Sequence, residues 1–364
     1  MQLYSFGSNG HYQLGQNHNR DLDVPTLVDL PYQITRLEPS NLQIRSNGNH
    51  TLLLVNNDLY ACGDNRHGQC FITNKPKIER FIRIHPTVFA GGVPRLISAG
   101  WEFSAVVATD RDGRDRLYCS GIGSRGELGL GENIKTGLIE LVRGFPRRGR
   151  SIRQIVSGLA HTVVLLDNGE LWGWGVSRKG QLGLHAEAQK LLWNPVQIDL
   201  KGFHPVKAVC GREFTALIDF EGNVKILFTS KNDRNGILLI PRIESLHSWT
   251  DFQSGWSSLH ILLPTGKMMS WGNNSHSQLV PHDAPSVQCM AIGSEHTLVW
   301  NQSSATVYSW GWGEHGNCGS LDNVTDSNPS RTLTKATRVI QLTPKSSVSV
   351  FAGCATSWIA IWNN

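Results

Sequence analysis

Ser157-Gly158-Leu159-Ala160-His161-Thr162-Val163-Val164-Leu165-Leu166 runs through Asp167-Asn168-Gly169 into Leu171-Trp172-Gly173-Trp174-Gly175, and Gly180-Gln181-Leu182-Gly183 follows. Two short apolar runs on either side of Asn-Gly read as a hairpin, because those residues supply the positive φ that a tight turn demands. The glycines beyond the second run read as a bend. Both halves of this stretch recur along the chain, and a recurring unit decides the fold before any local propensity does.

The second half returns as Leu3-Tyr4-Ser5-Phe6-Gly7 with Gln13-Leu14-Gly15, and as Leu59-Tyr60-Ala61-Cys62-Gly63 with Gly68-Gln69-Cys70. It returns again as Leu117-Tyr118-Cys119-Ser120-Gly121 with Gly126-Glu127-Leu128-Gly129, as Met269-Ser270-Trp271-Gly272 with Gln278-Leu279, and as Val307-Tyr308-Ser309-Trp310-Gly311 with Gly316-Asn317-Cys318-Gly319. A seventh copy, Val224-Lys225-Ile226-Leu227-Phe228, has lost its glycines and is recognised by its place. The first half, small-Gly-x-x-His/Phe-Ser/Thr before an apolar run, has its glycine at 100, 158, 211, 255, 293 and 353, with Asn47 in the seventh position. Asn is the residue that best replaces Gly at positive φ, so this position predicts a left-handed turn. Successive positions lie between 38 (255 to 293) and 60 (293 to 353) residues apart, enough for three or four short strands each. Seven such sheets bury one another's faces when arranged radially, which predicts an all-β, seven-bladed β-propeller forming one domain over 1–364. The chain opens with a second half and closes with a first half, so the last blade is expected to be closed by both termini.

Composition agrees with many turns and many buried strands: of 364 residues 40% are hydrophobic and 17% charged, with 37 Gly and 12 Trp, which argues against disorder. A formal charge of +5 is mild and falls short of a dedicated nucleic-acid binder. Seven cysteines without a C-x-x-C spacing fit neither a disulfide framework nor a zinc site, and point to a reducing compartment. The opening residues lack a basic stretch followed by an apolar run, so no signal peptide is expected, and no apolar stretch is long enough to span a membrane. The N-x-S/T triplets at Asn49, Asn273, Asn301 and Asn323 are then expected to be chance matches.

The paired signature resembles the regulator of chromosome condensation family of propellers over nearly the whole chain. Within it, Phe6-Gly7-Ser8-Asn9-Gly10 with Gln13-Leu14-Gly15, Asp21, Asp23 and Pro25 is similar to the branch of fungal alpha-tubulin suppressors. That resemblance implies a non-catalytic scaffold without a cofactor, cytoplasmic and nuclear. It implies a heterodimer with a small zinc- and iron-binding diphthamide biosynthesis protein. The pair would support diphthamide synthesis on elongation factor two and, with the Elongator complex, modification of the transfer RNA wobble uridine. In exchange-factor members of the family, acidic and histidine side chains immediately before the repeat His/Phe meet a GTPase. Here that position is read as Asn49, Glu102, Ala160, Glu213, Ser258, Glu295 and Ala355. Three glutamates without Asp or His depart from the pattern, and Asp110-Arg111-Asp112-Gly113-Arg114-Asp115-Arg116 is only a lengthened turn, so exchange activity is the alternative.

Candidate partner-binding residues are Trp101, Glu102, Glu213, Trp256, Glu295, Arg147, Arg148 and Arg150. Trp101 and Trp256 directly follow their glycines, where a rigid ring either anchors a partner or packs against the next blade. Trp172, Trp174, Trp271 and Trp310 fall on strand positions and read as core. His50, His161 and His296 share a repeat position with Phe103 and Phe214, so the position wants a flat ring and not a base or ligand. Cys62, Cys70 and Cys318 replace larger apolar residues and read as fillers. Arg143-Gly144-Phe145-Pro146-Arg147-Arg148-Gly149-Arg150-Ser151-Ile152-Arg153 is either a solvated face or a dock for an acidic partner or an RNA backbone. The chain contains no G-x-x-x-x-G-K-S/T, H-E-x-x-H or G-x-S-x-G.

Overall fold

In a computed structural model, which describes residues 1–31, 34, 41–229, 231, 233–241, 248–320 and 331–363, the chain is an all-β, seven-bladed propeller built from seven antiparallel sheets. Asn323 lies outside the described residues. The contacts group the chain into two compact units, Met1–Pro39 with Arg234–Asn364, and Ser40–Asp233.

The first unit holds three sheets. β1 (Gln2–Gly7) and β2 (Leu22–Leu27) join β25 (Ser346–Ala352) and β26 (Thr356–Asn363) in the order β2-β1-β26-β25. The two ends of the chain therefore share one blade, with Leu3 opposite Ala360 and Phe6 opposite Ser357. The others are β18 (Asp251–Ser254), β19 (Ser258–Leu262) and β20 (Met268–Gly272), and β21 (Cys289–Ile292), β22 (His296–Asn301), β23 (Thr306–Trp312) and β24 (Thr332–Gln341).

The second unit holds four sheets: β3 (Leu42–Asn47) to β4 (His50–Val55), β5 (Asp58–Asp64) and β6 (Lys77–Arg83); then β7 (Val93–Ala99), β8 (Phe103–Thr109), β9 (Asp115–Ile122) and β10 (Thr136–Leu141). There follow β11 (Ile152–Ser157), β12 (His161–Leu166), β13 (Leu171–Val176) and β14 (Leu191–Ile198), and finally β15 (Lys207–Cys210), β16 (Thr215–Ile218) and β17 (Val224–Leu227). The copy without glycines is thus a strand in register, with Ala216 opposite Ile226.

Burial explains the residue choice along each blade. The second strands β4, β12 and β22 are buried at every position, and so they read as unbroken apolar runs, as strands covered on both faces do. Outer strands are more open: β2 has only part-buried and exposed positions, and β14 buries only Leu192 and Ile198. Trp174 and Trp310 are fully buried, and Trp172 and Trp271 nearly so. Cys62, Cys70, Cys119 and Cys318 are buried thiols, and all seven cysteines are free.

The repeat glycine has a different cause from the one its sequence suggested. At Gly100, Gly158, Gly211 and Gly293 the aromatic ring three residues on lies over the α-carbon, so that an added Cβ would stand 1.9 to 2.4 Å from a ring carbon. These glycines make room for a ring. Neither they nor Asn47 has a positive φ; the left-handed residue is the next one, Gly48, at φ 53°. Asn47 instead sends its Nδ2 to the Ala99 carbonyl at 3.3 Å, which ties β3 to the following blade.

Candidate protein-binding rim

One backbone contact defines the connection between the first and second strands in six blades. The carbonyl just before the repeat ring accepts from the N–H that ends the third strand: Asp64 to Asn49, Ile122 to Glu102, Val176 to Ala160, Asn273 to Ser257, Trp312 to Glu295 and Ser8 to Ala355, at 2.7 to 3.0 Å. The residue in this position is therefore Ser257 and not Ser258, whose pairing with Gly272 matches that of His161 with Gly175. At Glu213 the contact is absent from the described bonds: the corresponding N–H, that of Thr229, donates to the Lys179 carbonyl at 2.7 Å, and Phe228 stands where the others have glycine, its ring meeting Phe214 edge-on at 6.5 Å.

In the second unit these connections touch in a row. The Trp101 carbonyl lies over Gly48, the Trp101 N–H reaches the Leu159 carbonyl at 3.2 Å, and Gly158 abuts the Gly211 carbonyl. Trp101, Glu102 and Glu213 thereby come to the same end of their sheets. Glu213 is exposed, whereas Trp101 and Glu102 are half-buried. Arg147, Arg148 and Arg150 are exposed but follow β10, three antiparallel reversals after Trp101, and so leave from the opposite end. The structure does not bring the arginines to this rim.

In the first unit, Trp256 donates its N–H to the Ser294 carbonyl at 2.9 Å and is half-buried. Glu295 is part of a cluster that the sequence reading missed. Its carboxylate lies 3.1 Å from His276 Nδ1; the His276 ring packs on Trp312 at 5.5 Å, the His315 ring meets Trp312 edge-on at 6.0 Å, and His315 Nδ1 is 2.8 Å from Asp21 Oδ2. Asp21 is in turn fixed by the Asn9 N–H at 2.7 Å. A signal for this was present: His11, His67, Arg125, Lys179, His276 and His315 all stand two residues before the repeat Gln, Glu or Asn. In five of the six the backbone N–H donates to that buried side chain, which locks the bend and leaves the basic group at the surface.

The buried histidines have another task. His50, His161 and His296 point Nε2 at Ser104 (2.7 Å), Thr215 (3.1 Å) and Ser357 (2.9 Å) of the next blade. Burial pulls each ring's pKa down to about 4, and that of His260 to about 3, so all four are neutral packing groups at neutral pH. Among the described residues no group of three or more His, Cys, Asp and Glu could hold a metal ion, and no helix is long and apolar enough to cross a membrane.

The regulator of chromosome condensation (RCC1) repeat matches residues 2–54 and 168–218, and a second form of it matches 152–181. An RCC1 repeat-containing protein of Schizosaccharomyces pombe is 34% identical over 100% of the chain and 99% of its own length. The chain belongs to the RCC1 repeat family. A further relative of this RCC1 propeller, the mouse secretion-regulating guanine nucleotide exchange factor, is 24% identical over 97% of the chain and 81% of its own length. Two solved structures share the fold over 100% of the RCC1 chain: Prp20p of Saccharomyces cerevisiae, with 17% identity and a TM-score of 0.79 over 92% of its length, and human WBSCR16, with 15% identity and a TM-score of 0.77 over its whole length.

Proposed function

We propose that this RCC1-repeat protein is a non-catalytic scaffold that pairs with a small zinc- and iron-binding protein of diphthamide biosynthesis. In this reading the pair serves diphthamide formation on elongation factor two and Elongator-dependent modification of wobble uridine in transfer RNA, in cytoplasm and nucleus. The observation that carries the scaffold reading is the rim cluster: Trp312 in ring contact with His276 and His315, each histidine beside a carboxylate. Side chains fixed in this way lose little entropy on binding. The choice of partner is supported by the likeness of the opening residues to the fungal alpha-tubulin suppressors.

A second reading, nucleotide exchange on a small GTPase, is favoured by the likeness to the mouse exchange factor and by Glu102, Glu213 and Glu295. Titration of the purified chain with the zinc protein, alongside release of a fluorescent guanine nucleotide from small GTPases, separates the two. A stable one-to-one complex without faster release is expected; acceleration without a complex would replace the scaffold by an exchange factor.

Trp101→Ala and Trp256→Ala are expected to weaken that complex about tenfold or more. Both rings are half-buried, so stability should fall by about 1 kcal/mol or less, well under the cost of a core ring. Unfolding of either variant at ambient temperature would assign that ring to the core.

A further inference from the structure

Along the outer edge of the second unit's sheets, the strands β10 and β14 flank a cleft of about 390 Å³, whose lining runs from Gly129, Leu130 and Ile134 in the connection before β10 to Arg143 and Arg147 in the loop after it. Clefts of roughly 300–1,000 Å³ hold small ligands or single anchoring side chains. Its floor is Phe145 and Trp172, both nearly buried, with ring centroids 5.5 Å apart. Its walls include the apolar Ile134 and Pro195, and Arg143 and Arg147 stand at its mouth. The Arg147 guanidinium lies 4.9 Å from the centroid of the Trp172 ring, which holds it in place by cation–π attraction.

Charge around the cleft is predominantly positive. The segment 143–153 carries five arginines and no carboxylate, and all five are exposed. None is in an ion pair among those of the described residues. The nearby acids are Glu140 on the lining and Glu170, which accepts from Trp172 Nε1 at 3.0 Å. That bond, with Arg150 and Arg147 close by, holds the Glu170 carboxyl below its ordinary pKa, so it stays ionised and engaged with Trp172. The arginines still outnumber these acids.

From this arrangement we infer that the cleft docks an acidic linear segment of a partner protein, an apolar side chain seating on Phe145 and Ile134 and adjacent carboxylates pairing with Arg143 and Arg147. Guanidinium groups suit carboxylates because their paired N–H donors match the two oxygens. An RNA strand fits less well. Sequence-tolerant strand binding needs open aromatic faces for the bases to stack on, and here Arg147 covers Trp172. This surface is independent of the rim proposed above, so either can fail alone.

The test is fluorescence anisotropy with a fluorescein-labelled peptide carrying a central phenylalanine among glutamates, beside the same peptide with glutamine for glutamate and a labelled oligouridylate. Saturable binding of the acidic peptide alone is expected, weakened by raising salt from about 0.05 to 0.3 M. The double variant Arg143→Gln/Arg147→Gln should lose about tenfold in affinity. Ile134→Glu, which alters an exposed side chain and keeps both arginines, should lose a similar factor, while Trp101→Ala should bind as the parent does. Unchanged affinity in both cleft variants, absence of saturation, or tighter arginine-dependent binding of the oligouridylate would overturn the inference.

Discussion

Lowering the pH from 7 to 4 is expected to destabilise the protein more than any single substitution considered above. His50, His161, His260 and His296 have pKa values held down at about 4, 4, 3 and 4 by burial, against about 6.5 in an unfolded chain. Above about 6.5 both states are neutral and the stability is complete. As the pH falls below that value the unfolded chain takes up protons that the folded chain refuses, and stability is lost until the folded rings titrate near 4. Four protons correspond to a slope approaching ~5 kcal/mol per pH unit between about pH 5.5 and 4.5. Urea midpoints at pH 7, 6, 5 and 4 check this. His296→Phe should remove about one proton's worth of the slope, since Phe103 and Phe214 fill the same place in other blades and Ser357 Oγ keeps its bond to the Asn317 carbonyl at 2.7 Å. Equal midpoints at pH 7 and pH 5 would show that the rings protonate within the fold.

One added methyl group should do nearly as much at neutral pH. In Gly158→Ala the new Cβ would stand 2.4 Å from the Gly211 carbonyl oxygen and 2.4 Å from His161 Cε1. The first belongs to the next blade and the second to a ring pinned by Thr215, so neither yields without moving a sheet. A loss of about 3 kcal/mol or more is expected, read as a shift in urea midpoint. Gly10→Ala, with nothing within 4 Å of the new atom, should change it by less than about 0.5 kcal/mol. A Gly158→Ala midpoint equal to that of Gly10→Ala would mean that the His161 ring slides aside freely.

The repeat was legible because its residues answer to contacts that recur: a ring over a glycine, a buried Gln closing a bend, a doubly covered strand. Even the copy that lost its glycines could be placed, since β17 keeps its apolar run. Asn47 misled because positive φ is the commoner reason for exchanging Gly and Asn, whereas here the need is space under a ring, and the left-handed conformation belongs to Gly48. Ser258 was one residue out because its blade carries Ser in place of the ring that marks the register. The His276, Trp312 and His315 cluster was not assembled, since its members come from different blades and only the basic residue before each bend hinted at it. That Arg147 points away from Trp101 follows from counting strand reversals, which a linear reading of the loop did not do.

The shared blade also bears on synthesis. Of the described strands β1 is synthesised first, yet β26, the neighbour that covers one of its edges, is synthesised after all the others. At ~5–20 residues per second that wait lasts tens of seconds, during which the strand carrying Leu3 and Phe6 has an open hydrogen-bonding edge able to pair with other nascent chains. That edge is therefore open to mispairing until β26 has been made.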